Sequence, residues 1–126
     1  MSRGGGDSNV MTTDSSPECP VSSWAVAHEI QSVHEEAVQK HGRVTRTLLK
    51  SAEVRVLVVG MARGVTWPEH KAAGRVVIRV EHGCIEMHTN DGRSRCAAGM
   101  LVALEPGVPH DVLAVEDSAF LLFVSG

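Results

Sequence analysis

The chain has 126 residues, of which 43% are apolar, so it can form one domain with a hydrophobic core. Its 12 Lys and Arg against 15 Asp and Glu give a net charge of −3, which offers no basic face for nucleic acid. No run approaches the roughly 18 apolar residues that cross a bilayer, so we expect no membrane partner.

Residues 1–21 are rich in Gly, Ser, Asp, Thr and Pro, and this composition predicts a disordered tail. The segment lacks the apolar centre of a signal peptide, which favours a cytoplasmic protein, and Met11 is an alternative start. The cysteines, Cys19, Cys84 and Cys96, have no ligand-like spacing. We expect reduced thiols, with a Cys84–Cys96 disulfide as the minor alternative.

Residues 22–42 are predicted to hold a short N-terminal helix. Apolar residues recur there at helical spacing, at Val26, Ile30, Val33 and Ala37. Ser22 or Ser23 can cap the start, and Gly42 suits the left-handed residue past the end. The apolar stripe needs a partner surface and small barrels need covered edges, so we expect a homodimer.

Residues 43–126 alternate with a period of two, which predicts an all-β domain. Asn90-Asp91-Gly92 marks a hairpin because these residues tolerate positive φ. The segment 63–70, RGVTWPEH, is interpreted as the turn that ends the first strand. Many short strands without a later helix indicate a small antiparallel barrel. The predicted strands cover 54–62, 75–83, 84–88, 93–97, two stretches within 100–115, and 118–125.

Two histidines, His70 and His110, are placed by this alternation at the end of an apolar interior. They would be the only polar groups of a small-molecule pocket, with Trp67 at its mouth or packed outside. The predicted apolar lining is Val56, Val58, Val76, Ile78, Val80, Met87, Val102 and Leu104.

The spacing Gly64-x5-His70 with Gly83, and then Gly99, Pro106-Gly107 and His110, resembles the two motifs of the cupin superfamily. GRVTRTLLK and EDSAFLLFV are similar to segments of small, single-domain bacterial cupins with a helix before the barrel. The resemblance covers about residues 43–125 and implies a cupin-like antiparallel jelly-roll barrel.

The resemblance also implies a metal site of three histidines and one glutamate. His70 and His110 fill two positions, whereas Ala72 takes the third histidine position and Arg75 or Val76 the glutamate position. Two imidazoles bind Zn, Fe, Ni or Mn weakly because catalytic sites use three protein ligands. We therefore expect no resident cofactor, unless a carboxylate such as Glu69 or Glu105 swings inward.

Three functions remain open at this stage. The first is a module that binds a small, partly apolar molecule in the barrel. The second is an isomerase, cyclase or lyase that uses His70 and His110 as acid and base. The third is a metal-dependent oxygenase. Against all three stands a filled core in which both histidines are merely hydrogen-bonded.

Overall fold

A computed structural model describes residues 20–126, so nearly all of the predicted tail, and Cys19 with it, lies outside the described residues. One helix precedes nine strands in this part of the chain. These are α1 (Val26–Lys40), β1 (Arg43–Lys50), β2 (Val54–Met61), β3 (Thr66–His70), β4 (Val76–His82), β5 (Cys84–Thr89), β6 (Gly92–Ala97), β7 (Leu101–Leu104), β8 (His110–Ala114) and β9 (Ser118–Ser125).

The strands of residues 20–126 form two antiparallel sheets that face each other. One has the order β1-β2-β9-β4-β7 and the other β3-β8-β5-β6. From β2 onward, every connection crosses between the sheets except the β5–β6 hairpin. This alternation is the jelly-roll topology, and it confirms the predicted all-β class. The hairpin turns at Asn90-Asp91, as the sequence predicts.

The main core lies between the two sheets. Its largest fully buried members are Phe120, Met61 and Ile85, with Val59 and Val112 packed around them. Burying a side chain of this size contributes about 1.5–3 kcal/mol. The sandwich therefore fixes the strands that carry the two histidines.

Helix α1 differs from its predicted ends. It begins at Val26, with Ala25 at the cap and no side-chain cap hydrogen bond, so the predicted cap by Ser22 or Ser23 is wrong. The left-handed residue is His41, with φ of 53°, rather than Gly42. The last turn closes one residue early because the amides of His41 and Gly42 bond to the carbonyls of Val38 and Ala37.

The helix packs on the outer face of its own five-stranded sheet. Ile30 and Val33 are buried against Val58 and Ala119. A Cβ atom at Gly60 would overlap the Val33 carbonyl, so glycine permits this close approach. The predicted partner surface of the stripe is therefore the barrel itself, and the homodimer stays a prediction that rests on sheet edges and resemblance. Among the described residues, no helix has the length and apolarity that spanning a membrane requires.

Strand β3 lies where the sequence predicted only a turn. It is an edge strand that pairs with β8, through Thr66 opposite Leu113 and Trp67 opposite Val112. The register shifts after Trp67, where Pro68 has no amide hydrogen to donate. An edge strand with an irregularity is the place where a sheet accepts proline.

The two described cysteines are buried free thiols, as predicted. Ile85 lies opposite Cys96, whereas Cys84 lies opposite Ala97. Because successive side chains on a strand point to opposite faces, Cys84 and Cys96 lie on different sides of the sheet. This register disfavours a disulfide between them.

Candidate functional site

His70 and His110 lie side by side where β3 pairs with β8. They are cross-strand partners, and their ring centroids are 4.2 Å apart with planes tilted by 59°. The structure thus brings together the two histidines that the sequence singled out.

Each imidazole is anchored by a backbone carbonyl two residues earlier in the chain. Nδ1 of His70 lies 2.8 Å from the Pro68 oxygen, and Nδ1 of His110 lies 2.9 Å from the Val108 oxygen. A carbonyl can only accept, so Nδ1 carries the hydrogen and Nε2 of the neutral ring has a free lone pair. Neither Nε2 atom forms a hydrogen bond within residues 20–126.

Burial lowers the pKa of His110, whose exposed fraction is 3%. The hydrogen bond to the Val108 carbonyl raises this pKa, but by less than burial lowers it, and the neighbouring His70 lowers it further. His110 is therefore neutral near pH 7, with Nε2 available as an acceptor or base.

Trp67 covers the site at its open end. Its ring stacks on His70 with centroids 5.0 Å apart, and the Arg43 guanidinium carbon lies 4.3 Å from the Trp67 ring centroid. This cation–π contact and the stacking hold the indole over the imidazole. Trp67 therefore takes the mouth position rather than packing outside.

The histidines open into a cavity of about 230 Å³ between the sheets. Six aliphatic side chains larger than that of alanine form its walls, and they include the predicted Val76 and Ile78. Three further polar side chains also line it, namely Thr45, Arg55 and Lys71, so the prediction that the histidines are its only polar groups is wrong. The aliphatic walls are Leu57, Val76, Ile78, Val112, Leu122 and Val124.

Several predicted lining residues lie elsewhere. Val58 packs under the helix, and Val56 shares that outer face, while Leu57 and Arg55 point inward. The prediction of which β2 side chains point inward is wrong. The helix covers the outer face of β2, so both faces of the strand are apolar and alternation does not distinguish them.

The remaining predicted lining residues belong to the core or to a second groove. Val80 is buried in the main core. Met87, Val102 and Leu104 line a separate groove beside the β5–β6 hairpin rather than the histidine cavity.

The donors of the cavity do not fit a divalent metal. Ala72 and Val76 line it at the two positions where the resemblance implies ligands. Glu105 pairs with Arg75 at 3.1 Å, and Glu69 is exposed. Residues 20–126 contain no group of three or more His, Cys, Asp or Glu that could hold a metal ion. Two nitrogens beside two cationic side chains supply neither the usual ligand count nor negative charge.

The outer face of the four-stranded sheet carries a charged cluster that sequence reasoning missed. His88 lies 2.7 Å from both Glu86 and Asp111, through Nε2 and Nδ1 respectively. Arg95 binds the other oxygen of Glu86 at 3.1 Å. The hydrogen bond from His88, followed by that from Arg95, lowers the pKa of Glu86.

No family model matches the chain. It is 31% identical over 108 residues to UDP-N-acetylmuramoyl-tripeptide–D-alanyl-D-alanine ligases of Mycobacterium bovis and Mycobacterium tuberculosis. The match covers 81% of this chain but 21% of each ligase. The chain thus spans about a fifth of the length of these curated relatives.

Solved structures give a consistent likeness in fold. A conserved protein of unknown function from Streptococcus pyogenes has a TM-score of 0.65 and 24% identity, covering 68% of this chain and 75% of that one. A cupin superfamily protein from Desulfitobacterium hafniense has a TM-score of 0.64 and 13% identity, covering 66% and 76%. An RmlC-like cupin with a double-stranded β-helix fold, from Methanocaldococcus jannaschii, has a TM-score of 0.62 and 16% identity, covering 68% and 81%. The chain therefore has the jelly-roll fold of these cupin structures.

Proposed function

We propose that the cavity between the sheets binds a small, partly apolar molecule that donates a hydrogen bond to His70 or His110. The observation that carries this proposal is the pair of free Nε2 lone pairs in one apolar-walled cavity. No described residue supplies a donor to them, so a bound molecule with a hydroxyl or amide N–H would donate its hydrogen to one of the two.

The size of the cavity limits the ligand. Its volume of about 230 Å³ lies below the usual 300–1,000 Å³ of drug-sized sites. The aliphatic walls suit a short branched or unbranched hydrocarbon body, and Trp67 can cover it. We expect a compact molecule with one polar end at the histidines.

A second candidate is an isomerase, cyclase or lyase that uses the same two imidazoles. Burial keeps His110 neutral near pH 7, and the neighbouring ring of His70 lies at 4.2 Å. A neutral imidazole can remove a proton from a ligand, and the imidazolium that forms can return this proton at another position of the ligand. Deuterium incorporation into a bound probe in heavy water, abolished by His110→Ala, would support this candidate over simple binding.

The neutral probe 2-hydroxy-4-methylpentanamide tests the binding proposal. Amide chemical shifts of the ¹⁵N-labelled protein should change at Leu57, Val76 and His110. His110→Ala should weaken binding about tenfold to a hundredfold, since losing a hydrogen-bond partner costs about 1–3 kcal/mol. His88→Ala, on the outer face, should leave the affinity unchanged.

One result would contradict the proposal directly. If His110→Ala lowers Tm and leaves the affinity for the probe unchanged, the histidine serves the core rather than a ligand.

A further inference from the structure

We infer that the natural ligand is an anion, namely a small hydroxycarboxylic acid whose carboxylate is bound by Arg55 and Lys71. This inference rests on the proposed function, because it assigns the chemical class of the molecule held in the same cavity.

Two cations line the cavity without carboxylate partners. Arg55 comes from β2, and Lys71 follows β3 directly. Among the described lysines and arginines, six form ion pairs with Asp or Glu, whereas five, including Arg55 and Lys71, form none within residues 20–126. An arginine presents a fork of donors that matches a carboxylate, and the hydrogen bonds are charge-assisted.

The lining of the cavity contains no Asp or Glu. Glu69 and Asp111 adjoin the two histidines in sequence, yet neither contributes to it. Glu69 is exposed, and Asp111 points to the outer face, where it contacts His88. Strand alternation thus leaves cations and imidazoles around the cavity, and the resulting positive field favours an anion.

The apolar wall adjoins the arginine. Arg55 lies opposite Val124 in the pairing of β2 with β9, and Val124 lies opposite Val76 in the pairing of β9 with β4. All three line the cavity. A ligand bound through its carboxylate at Arg55 therefore has a hydrocarbon surface within reach of its body.

The two imidazoles favour a ligand that also carries a hydroxyl group. With Nδ1–H bonded to a carbonyl, a neutral ring presents a lone pair at Nε2, which repels a carboxylate but accepts from an O–H group. The carboxylate therefore belongs at Arg55 and Lys71, and the hydroxyl at His70 and His110. A short-chain hydroxy acid carries both groups and an aliphatic body.

Two probes of the same shape separate charge from shape. Calorimetry at about pH 7.5 compares 2-hydroxy-4-methylpentanoate with 2-hydroxy-4-methylpentanamide on the full chain. We expect the carboxylate to bind at least about tenfold more tightly, because hydrogen bonds to charged groups are the stronger ones. Arg55→Gln and Lys71→Gln should each remove most of this preference, measured as the ratio of the two affinities.

Arg63→Gln is the matched control. Arg63 is exposed, does not line the cavity and forms no ion pair with any residue in 20–126, so its loss tests the effect of net charge alone. It should leave the preference intact. Since Arg55 and Lys71 are exposed, their variants should fold, and Tm and NMR spectra check this.

Each remaining outcome has a defined meaning. Equal affinities for the two probes would overturn the anion inference and leave the proposed function standing. An equal loss of preference in Arg63→Gln would also overturn it, because general charge would then explain the result. Failure of both probes to bind would overturn the proposed function and this inference with it.

Discussion

The histidines on the two faces of the four-stranded sheet have different hydrogen-bond partners. On the inner face, His70 and His110 bond through Nδ1 to backbone carbonyls and keep Nε2 free. On the outer face, His88 contacts a carboxylate at each ring nitrogen, Glu86 at one and Asp111 at the other. His110 and Asp111 are consecutive, so a single step along β8 separates a group that can serve a ligand from one that is already paired.

This difference shows how strand alternation sorts charge. The outer cluster contains its own counter-ions, since Arg95 and His88 both bind Glu86. The cavity instead has two cations and two imidazoles, without a carboxylate among its lining residues. Polar groups that satisfy one another stabilise a fold, whereas polar groups left unpaired near a cavity are available to a bound molecule.

The largest change to this difference is expected when metal ligands are added to the cavity that His70 and His110 line. Ala72→His, alone or with Val76→Glu, adds a third and a fourth donor beside His70 and His110. We expect zinc content to rise from well below one to about one per chain, because three protein ligands complete the usual site. Elemental analysis after dialysis measures this.

His88→Ala is the control for zinc uptake and should leave it unchanged. A tightly held metal in the unaltered protein, removed by His70→Ala or His110→Ala, would contradict the two-donor description. That result would favour the metal-dependent oxygenase hypothesis.

The pH dependence of stability should also distinguish the two faces of the sheet, with a smaller effect than the added metal ligands. Burial lowers the pKa of His110 below its ordinary value of 6.5, so the unfolded chain takes up this proton first. The contribution of neutral His110 is complete above about pH 6.5 and is lost as the pH falls below it. Hydrogen bonding lowers the pKa of Glu86 from 4.5, so its contribution is complete above about pH 4.5 and is lost on further acidification.

Thermal unfolding followed by circular dichroism from about pH 8 to 3 resolves the two windows. His110→Gln should flatten the fall in Tm that begins near pH 6.5, and Glu86→Gln should flatten the fall below about pH 4.5. His70 and Asp111 also act on His110, so both must be retained in these variants. Profiles unchanged by either substitution would show that neither group drives acid unfolding.

The smallest effect is expected on the outer face. His88→Ala removes two contacts with carboxylates but leaves Arg95 bound to Glu86. Partly exposed ion pairs contribute little to stability, so Tm should fall by a few degrees at most. Unfolding of the variant at room temperature would instead show that the cluster is essential to the sheet.

Much of the fold was predictable because local patterns agree with it. Alternation located β2, β4, β5, β6 and β9. The Asn90-Asp91-Gly92 turn located the hairpin that joins β5 and β6. Val112 and Ala114 are buried with His110, as alternation along a strand requires. These features depend on neighbours within a few residues of sequence.

Other features were missed because sequence alone does not show which face is covered. Both faces of β2 are apolar, so its phase, and with it the inward position of Arg55, depended on where the helix packs. The opposite phase places Arg55 and Leu57 together on the inner face, where both line the cavity. Strand β3 was missed because Pro68 reads as a turn signal in the sequence. A strand accepts proline at the edge of a sheet, and only the tertiary structure shows that β3 lies at an edge.

The sequence by itself determined the strand pattern, the antiparallel all-β class and the two histidines, since these follow from periodicity and residue type. Tertiary structure decided which side chains share a cavity. Pairing β3 with β8 placed the imidazoles 4.2 Å apart, and packing the sheets face to face brought Arg55 and Lys71 to the same space. Local periodicity sets the side of a strand on which a residue lies, but only long-range pairing sets what it meets there.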